Sequence, residues 1–286
     1  RRALKRLKKI DRKNNISMIY FDEMGLAEHS PNNPLKVIHA ELEYDQNKGS
    51  KKIAFVGISN WALDASKMNR GMFLSIPEPC ENDTKETAFT IGKSYDENMA
   101  NQYKFFFENL GLTYYKYKNY LKKIYQDGKE DFHGNRDFYH LIKNAARNIV
   151  ENYRNKIMDT NILEKIAITS IERNFGGLRL SENTTSIKII KEILSAYYAG
   201  CRPDNCYQVV KRIKENISDL KSRYLLVISK SSISAILLSS ILSDLKKDFK
   251  LYIGSQFQND LKSEEYSLKI LNKIQLHMEQ GNVLIL

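Results

Sequence analysis

The hydrophobic positions near the start of the chain form two short continuous runs. Residues 17–22 are mostly apolar and end at Asp22, and residues 51–60 hold a second apolar run that ends in Gly, Ser and Asn. Such runs are typical of strands buried on both faces. Between them, residues 35–43 carry apolar side chains that suit a short helix. The order strand, helix, strand predicts a parallel α/β sheet, whose ligands bind beyond the carboxyl ends of the strands.

The pattern changes at about Cys80, where apolar residues begin to recur at helical spacing and β-branched runs disappear. This predicts an all-helical domain. Its helical segments are residues 101–126, 136–156, 161–175 and 186–198, followed by another helix within 201–222.

At Arg223 the first pattern returns. Strands are predicted at 223–229, 249–256 and 282–286, with helices at 234–247 and 268–280. The fold class is therefore α/β with an all-helical insert between two partial cores. We expect an α/β core at 1–79, a helical domain and linker at 80–220, and the front of a second α/β core at 221–286. Because the chain stops on a predicted buried strand, we expect it to be an excerpt from a larger protein.

Composition and charge narrow the functional classes. The chain has 286 residues, 42% of them hydrophobic, and contains neither an 18-residue apolar stretch nor a signal-peptide pattern, so we expect a globular, soluble protein. Three cysteines favour a reducing compartment such as the cytoplasm. Cys201 and Cys206 have no matching second pair, so ordinary thiols are favoured over a metal site.

The formal net charge of +11 is concentrated at one end. Residues 1–15 contain eight Lys or Arg against one Asp. A basic tract of this kind can bind RNA, DNA or anionic lipid, although a solvated helix face is the more frequent explanation. The solvated face is therefore favoured over a nucleic-acid partner.

The sequence MIYFDE at 18–23 fits the Walker B pattern. In that pattern Asp22 helps to hold the Mg²⁺ that bridges nucleotide phosphates, and Glu23 polarises the attacking water. A strand also ends in Asp-Glu by chance, so the motif is weak alone. Asn60 ends the next strand, as the sensor 1 residue does in AAA+ ATPases, where it positions the water. Arg70 could act on a neighbouring module as an arginine finger, although a surface arginine is the simpler interpretation.

These residues stand in two segments, FDEMGLAEHSPNNPLKVIHAELE and FVGISNWALDASKMNRGMF. Together they resemble the Walker B to arginine-finger part of the third AAA+ module in the mysterin family, giant ring-finger ubiquitin ligases with a dynein-like ATPase core. FHGNRDFYHLIK at 132–143 resembles the family's lid signature, Gly-Leu-Arg-Asp-Phe-Tyr, with Asn135 in place of Leu. The resemblance implies that Arg136 is sensor 2 and reaches the γ-phosphate. RNFGGL at 173–178 also resembles a lid segment, in which Gly176 and Gly177 suggest a helix terminus or tight turn.

Residues 223–286 resemble the opening of the family's fourth AAA+ module. Its phosphate loop is degenerate, because Lys230 and Ser231 follow the strand without the glycines that wrap a phosphate. Gly92-Lys93-Ser94 is not a phosphate loop, since Thr87 stands where Walker A requires glycine. Only 21 residues precede Asp22, so we expect the phosphate loop of the first module to lie outside the chain.

The resemblance implies an ATP hydrolase with ATP and Mg²⁺ as cofactors, whose turnover changes the conformation of a ubiquitin ligase. Its partners would be neighbouring AAA+ modules of the same chain and, through other domains, the ubiquitin-transfer machinery. No ring-finger Cys/His spacing occurs here. The isolated fragment is expected to be inactive without Walker A. Two alternatives stay open: a regulatory ATP-binding module with little turnover, and a nucleic-acid-dependent AAA+ protein.

Overall fold

The computed structural model describes most of the chain in two compact units, Arg1–Glu78 and Pro79–Leu286. The described residues are 18–31, 35–36, 54–69, 71–125, 131–152, 157–181, 184–200, 209–222, 224–227, 229, 231, 233–252, 254, 258–261 and 263–286.

The first unit holds a parallel pair of strands, as predicted. Strand β1 (Met18–Phe21) pairs with β2 (Ala54–Gly57), with Phe21 opposite Gly57. Helix α1 (Met24–Glu28) follows β1, and the short α2 (Ala65–Met68) follows β2. Most of the helix predicted at 35–43 lies outside the described residues.

The two strands are less buried than their apolar pattern predicted. Met18 is 56% exposed and Tyr20 is 53% exposed. In the described part of this unit the buried apolar side chains are Met24 and Leu35, packed against Phe55 and Leu63. Burial on both faces requires layers above and below the sheet, and the described residues supply only this small cluster.

Helices dominate the chain after Cys80, as the spacing predicted. They are α3 (Glu81–Lys93), α4 (Glu97–Gln102), α5 (Lys104–Ile124), α6 (Asn135–Asn152), α7 (Thr160–Asn174), α8 (Ser186–Ser195) and α9 (Val209–Ser218). Side-chain oxygens accept hydrogen bonds from the first-turn amides of α4, α7 and α8, which satisfies donors that a helix leaves unpaired.

The core of the helical segment is aromatic. Tyr114 of α5 stacks on Phe138 of α6, with ring centroids 4.5 Å apart and planes within 6°. Phe106, Phe107 and Tyr117 are buried along α5. Burial is consistent with the apolar spacing that predicted this helix.

One helix predicted at 101–126 is interrupted at Tyr103. The residue has φ −110° and ψ 31°, outside the helical region, and it caps α5. Its hydroxyl accepts a hydrogen bond from the backbone N–H of Met158 at 3.0 Å. That tertiary contact holds the Tyr103 side chain, and the spacing of apolar residues could not predict it.

Buried ion pairs join α7, α8 and α9. Glu172 accepts hydrogen bonds from Lys191 Nζ at 2.7 Å and from Arg212 Nε at 2.8 Å. The side chains of Glu172 and Lys191 are only 5% and 1% exposed. Nearby, Asp219 pairs with Arg147 at 3.1 Å and with Arg173 at 2.9 Å. Charged side chains thus hold α9 and the residues after it to the helical core.

The last segment repeats the α/β pattern on a small scale. It contains α10 (Ile233–Asp244), β3 (Phe249–Leu251), α11 (Gln258–Leu261), α12 (Glu264–Glu279) and β4 (Val283–Ile285). Strands β3 and β4 pair in parallel, with Phe249 opposite Val283. This confirms the two later predicted strands.

The strand predicted at 223–229 is wrong for its described residues. Residues 224–227 belong to no strand, and Tyr224 is 98% exposed while Leu226 is 82% exposed. A strand exists only through hydrogen bonds to a neighbour, and in the described residues β3 and β4 pair with each other. An apolar run alone cannot supply that neighbour.

Candidate functional site

The predicted Walker B and sensor 1 residues lie at one edge of the β1–β2 sheet. Asp22 and Glu23 follow the last residue of β1, and Asn60 lies three positions beyond the end of β2. Because the strands are parallel and Phe21 stands opposite Gly57, both strands end at the same edge. All three polar side chains are exposed. The edge therefore presents two carboxylates and an amide to solvent.

Two backbone hydrogen bonds to Ile58 bracket the carboxylate pair. The Ile58 N–H donates to the Phe21 carbonyl at 2.9 Å, and the Met24 N–H donates to the Ile58 carbonyl at 2.8 Å. Asp22 and Glu23 occupy the turn between these two bonds. The turn that carries both carboxylates is thus tied to the residue that follows β2.

Glu23 has an unusual backbone conformation. Its φ of 50° and ψ of 41° place it in the left-handed region, which costs a non-glycine residue about 1–2 kcal/mol. Its N–H donates to Asp22 Oδ1 at 3.0 Å, and its carbonyl accepts from the Leu26 N–H at 3.0 Å. Strained residues of this kind cluster at active sites, where the surrounding structure holds them.

Magnesium fits the donors at this edge. Carboxylate and amide oxygens are hard ligands, and Mg²⁺ keeps several waters and nucleotide oxygens while it takes only one or two protein carboxylates. Among the described residues, no group of three or more His, Cys, Asp or Glu side chains is placed to hold a metal ion. A magnesium ion held by Asp22 and the nucleotide phosphates would need only one protein carboxylate, so it would not require a group of three such side chains.

The other predicted site residues are placed separately. Arg136 is the second residue of α6 and is exposed. Both Arg136 and Ser231 belong to the second compact unit. Ser231 lies just before α10 in a serine turn, where its N–H donates to Ser229 Oγ at 3.2 Å. Several further predictions concern residues outside those that the structure describes: Arg70, Lys230, Cys201, Cys206 and residues 1–15.

The segment that carries Arg136 is anchored by a buried histidine that the sequence analysis did not single out. His133 is 2% exposed, with Nδ1 2.8 Å from the Tyr117 hydroxyl and Nε2 3.2 Å from the Gly176 carbonyl. Burial raises the pKa of Tyr117, so its hydroxyl stays protonated. The Gly134 N–H donates to Asp137 Oδ2 at 3.0 Å. The hydrogen bonds of His133 and Gly134 thus fix the start of α6. The FHGN sequence at 132–135, with a histidine between Phe and Gly, is the signal from which this anchor could have been predicted.

The backbone at Gly176 and Gly177 agrees with the helix terminus or tight turn predicted there. Helix α7 ends at Asn174, and Gly177 has a φ of +88°, which glycine adopts at little cost. The prediction of a helix terminus or tight turn at Gly176-Gly177 is therefore confirmed.

Known protein families match both ends of the chain. Two different models, each described as an RNF213 AAA domain, match residues 1–83 and residues 214–286. The two models carry the numbers 4 and 5, whereas the sequence resemblance is to a third module and the start of a fourth. In both counts one AAA module follows the other along the chain.

Curated relatives match nearly the whole chain. It is 29% identical over 293 residues to the E3 ubiquitin-protein ligase RNF213 of Mus musculus, and 30% identical over 292 residues to that of Homo sapiens. The E3 ubiquitin-protein ligase rnf213-beta of Danio rerio is 30% identical over 282 residues. Each match covers 95% of this chain and 5% of the relative, so the chain spans about one twentieth of their length.

One further comparison and one property of the helices complete the description of the chain. No solved structure matches it. Among the described residues, no helix has both the length and the apolar character that crossing a membrane requires.

Proposed function

The chain belongs to the RNF213 family, whose AAA-domain models match both its ends, and we propose that it forms part of an ATP-hydrolysing core. The observation that carries the proposal is the shared edge of β1 and β2, where Asp22, Glu23 and Asn60 follow parallel strands. In open parallel sheets, ligands bind beyond the carboxyl ends of the strands.

Each residue at this edge has a separate role in the proposed reaction. Asp22 would hold Mg²⁺, directly or through water, and the ion when bound neutralises charge on the nucleotide phosphates. Glu23 orients and polarises the attacking water, and Asn60 positions that water with its amide. The bonds to Ile58 keep the turn with both carboxylates in one arrangement.

Two arginines also have proposed roles toward nucleotide phosphates. Arg136 would sense the γ-phosphate of the same module, and Arg70 would neutralise phosphoryl charge at the site of a neighbouring module. For Arg136, the exposed position at the start of α6 supports this role, because its guanidinium is not committed to the aromatic core. Lys230 and Ser231 are proposed as weaker nucleotide contacts in the second module.

The activity is proposed to drive conformational change in a larger ubiquitin ligase. The relatives' printed names describe E3 ubiquitin-protein ligases, and this chain matches 5% of their length. Neighbouring AAA modules of the same chain and the ubiquitin-transfer domains would therefore be its partners. A cytoplasmic location is proposed on the low cysteine content.

Replacing Glu23 with Gln in the full-length protein tests the proposal. We expect turnover of Mg²⁺-ATP to fall by about 10²-fold or more while ATP stays bound, because general base catalysis is worth about 10²–10⁴-fold. Glu97→Gln is the matched control, since that carboxylate pairs with Lys93 and is 67% exposed. Turnover that survives Glu23→Gln would refute hydrolysis at this site. ATP binding without measurable turnover in the wild-type protein would instead favour the regulatory module.

A further inference from the structure

We propose that Trp61 is a positioning residue of the hydrolytic site, which holds the turns that carry Glu23 and Asn60 together by packing over Gly25. This inference rests on the proposed function. Trp61 follows Asn60 directly, and Gly25 comes two residues after Glu23. A contact between Trp61 and Gly25 therefore joins the immediate neighbours of both site residues.

The space above Gly25 is filled by the indole. A Cβ atom at Gly25 would lie 2.5 Å from Trp61 Cε2 and 2.8 Å from Cζ2, and 2.6 Å from Ser59 Oγ. Non-bonded carbon atoms pack at about 3.5–4.0 Å, so no side chain fits there without movement of the indole or the serine. Gly25 is buried, although Trp61 itself is 41% exposed. The absence of a side chain at Gly25 is what lets the ring reach the first turn of α1.

Further contacts fasten the loop after β2 to α1. Ser59 Oγ donates to the Trp61 carbonyl at 2.7 Å and accepts from the Trp61 N–H at 3.3 Å, which fixes the backbone on both sides of Asn60. The His29 ring lies 5.9 Å from the Trp61 ring. At the end of α1, Glu28 Oε1 accepts from the Asp64 N–H at 3.2 Å. The loop thus contacts both ends of the helix.

This packing matters because Glu23 is held in a left-handed conformation. Such a backbone persists only where its surroundings hold it, and here the bonds to Ile58 and the first turn of α1 do so. If the indole is lost or displaced, the turn relaxes and the Glu23 carboxylate moves relative to Asn60. A misplacement of about 1 Å can lower a rate by about 10²-fold. Because the proposed role of Trp61 is to place Glu23 and Asn60 and not to contact the nucleotide, we expect the rate to change and not the affinity.

The test compares four single variants and one double variant of the full-length protein by steady-state ATPase kinetics. Gly25→Ala forces a methyl group against the indole, and Trp61→Ala removes the indole. Each is expected to lower kcat by about 10-fold or more, with KM for ATP and binding of ATPγS within about twofold of wild type. Trp61→Phe should retain an intermediate kcat. Phe105→Ala is the control, because that ring is 81% exposed on α5, and its kcat should not change.

The double variant Gly25→Ala/Trp61→Ala gives the sharpest result. Because the methyl group enters space that the indole has left, kcat of the double variant should exceed that of Gly25→Ala alone. Additive losses, or unchanged kcat in both single variants, would overturn the proposal. So would a parallel loss of kcat, ATPγS binding and melting temperature, because that describes a structural role. If Gly25→Ala does not fold, the proposal is tested by Trp61→Ala and Trp61→Phe alone. It then requires a lowered kcat in Trp61→Ala, an intermediate kcat in Trp61→Phe and an unchanged KM for ATP in both.

The outcome for Glu23→Gln separates this inference from the proposed function. If turnover survives Glu23→Gln, the hydrolytic function itself fails. If turnover is lost in Glu23→Gln but kcat stays at the wild-type value in Gly25→Ala and Trp61→Ala, only the role of Trp61 fails.

Discussion

The buried carboxylate of Glu172 offers a direct test of how the helical segment is held together. Glu172→Gln keeps the shape of the side chain but removes the charge that faces Lys191 and Arg212. At 2.7 Å from Lys191 Nζ, a unit charge interacts with about 6 kcal/mol in an effective dielectric of about 20. The glutamine oxygen still accepts one hydrogen bond, which offsets part of this loss. The remaining cost is that of a buried cation without its partner, about 3–5 kcal/mol.

Thermal and urea unfolding followed by helical circular dichroism measure this cost. At about 2–4 °C per kcal/mol for a domain of this size, Glu172→Gln should lower the melting temperature by roughly 10 °C. Glu265→Gln is the control. The Glu265 side chain pairs with Lys269 but is 78% exposed, so this pair contributes about 0.5 kcal/mol or less. The double variant Glu172→Met/Lys191→Met should recover part of the loss, since apolar side chains replace two of the charges and Arg212 keeps its pair with Glu215. A loss below about 1 kcal/mol in Glu172→Gln would refute the description of a buried ion pair.

Two further perturbations test the packing and the pH dependence of the same segment. Gly111→Ala should destabilise the chain by about 1–3 kcal/mol in urea unfolding, because its Cβ would lie 2.6 Å from the Thr84 carbonyl oxygen. Gly134→Ala is the control and should be nearly neutral, because a Cβ there meets open space. Burial opposes the ionisation of Asp219, but hydrogen bonds and charges from Arg173, Lys221 and Arg147 outweigh it and lower its pKa. Asp219 therefore stabilises the fold above its unfolded pKa of about 4, and this contribution is lost as the pH falls through the lower folded pKa. Asp219→Asn should therefore weaken the pH dependence of the unfolding free energy below about pH 5. Equal pH profiles for wild type and Asp219→Asn, or equal effects of the two glycine variants, would contradict these contacts.

The strands and their polar ends could be predicted because their signals are local. Asp22 and Asn60 each follow an apolar run, and parallel pairing then brings the two ends to one edge. The helical segment was likewise visible in the spacing of its apolar residues. Local patterns do not report pairing, however, and residues 224–227 therefore had the composition of a strand without becoming one.

The contacts that hold the candidate site could not be predicted, because they join positions far apart in sequence. Gly25 and Trp61 are 36 residues apart, and nothing in either local pattern indicates that one fills the space above the other. Glu172 has the appearance of a solvated charge on a helix until Lys191 and Arg212 are placed beside it. The left-handed backbone of Glu23 is equally invisible, since the residue type does not favour it.

The bracket formed by Ile58 also determines which kinds of genetic change this region tolerates. Because Ile58 bonds to both Phe21 and Met24, the backbone admits two residues between them. An in-frame insertion or deletion of one codon there would break one of these bonds or shift β1 by one residue, which turns every side chain of the strand to the opposite face. Such an allele would lose the site even if both acidic residues were still encoded. Length variation should therefore be excluded from this turn more strictly than amino-acid substitution.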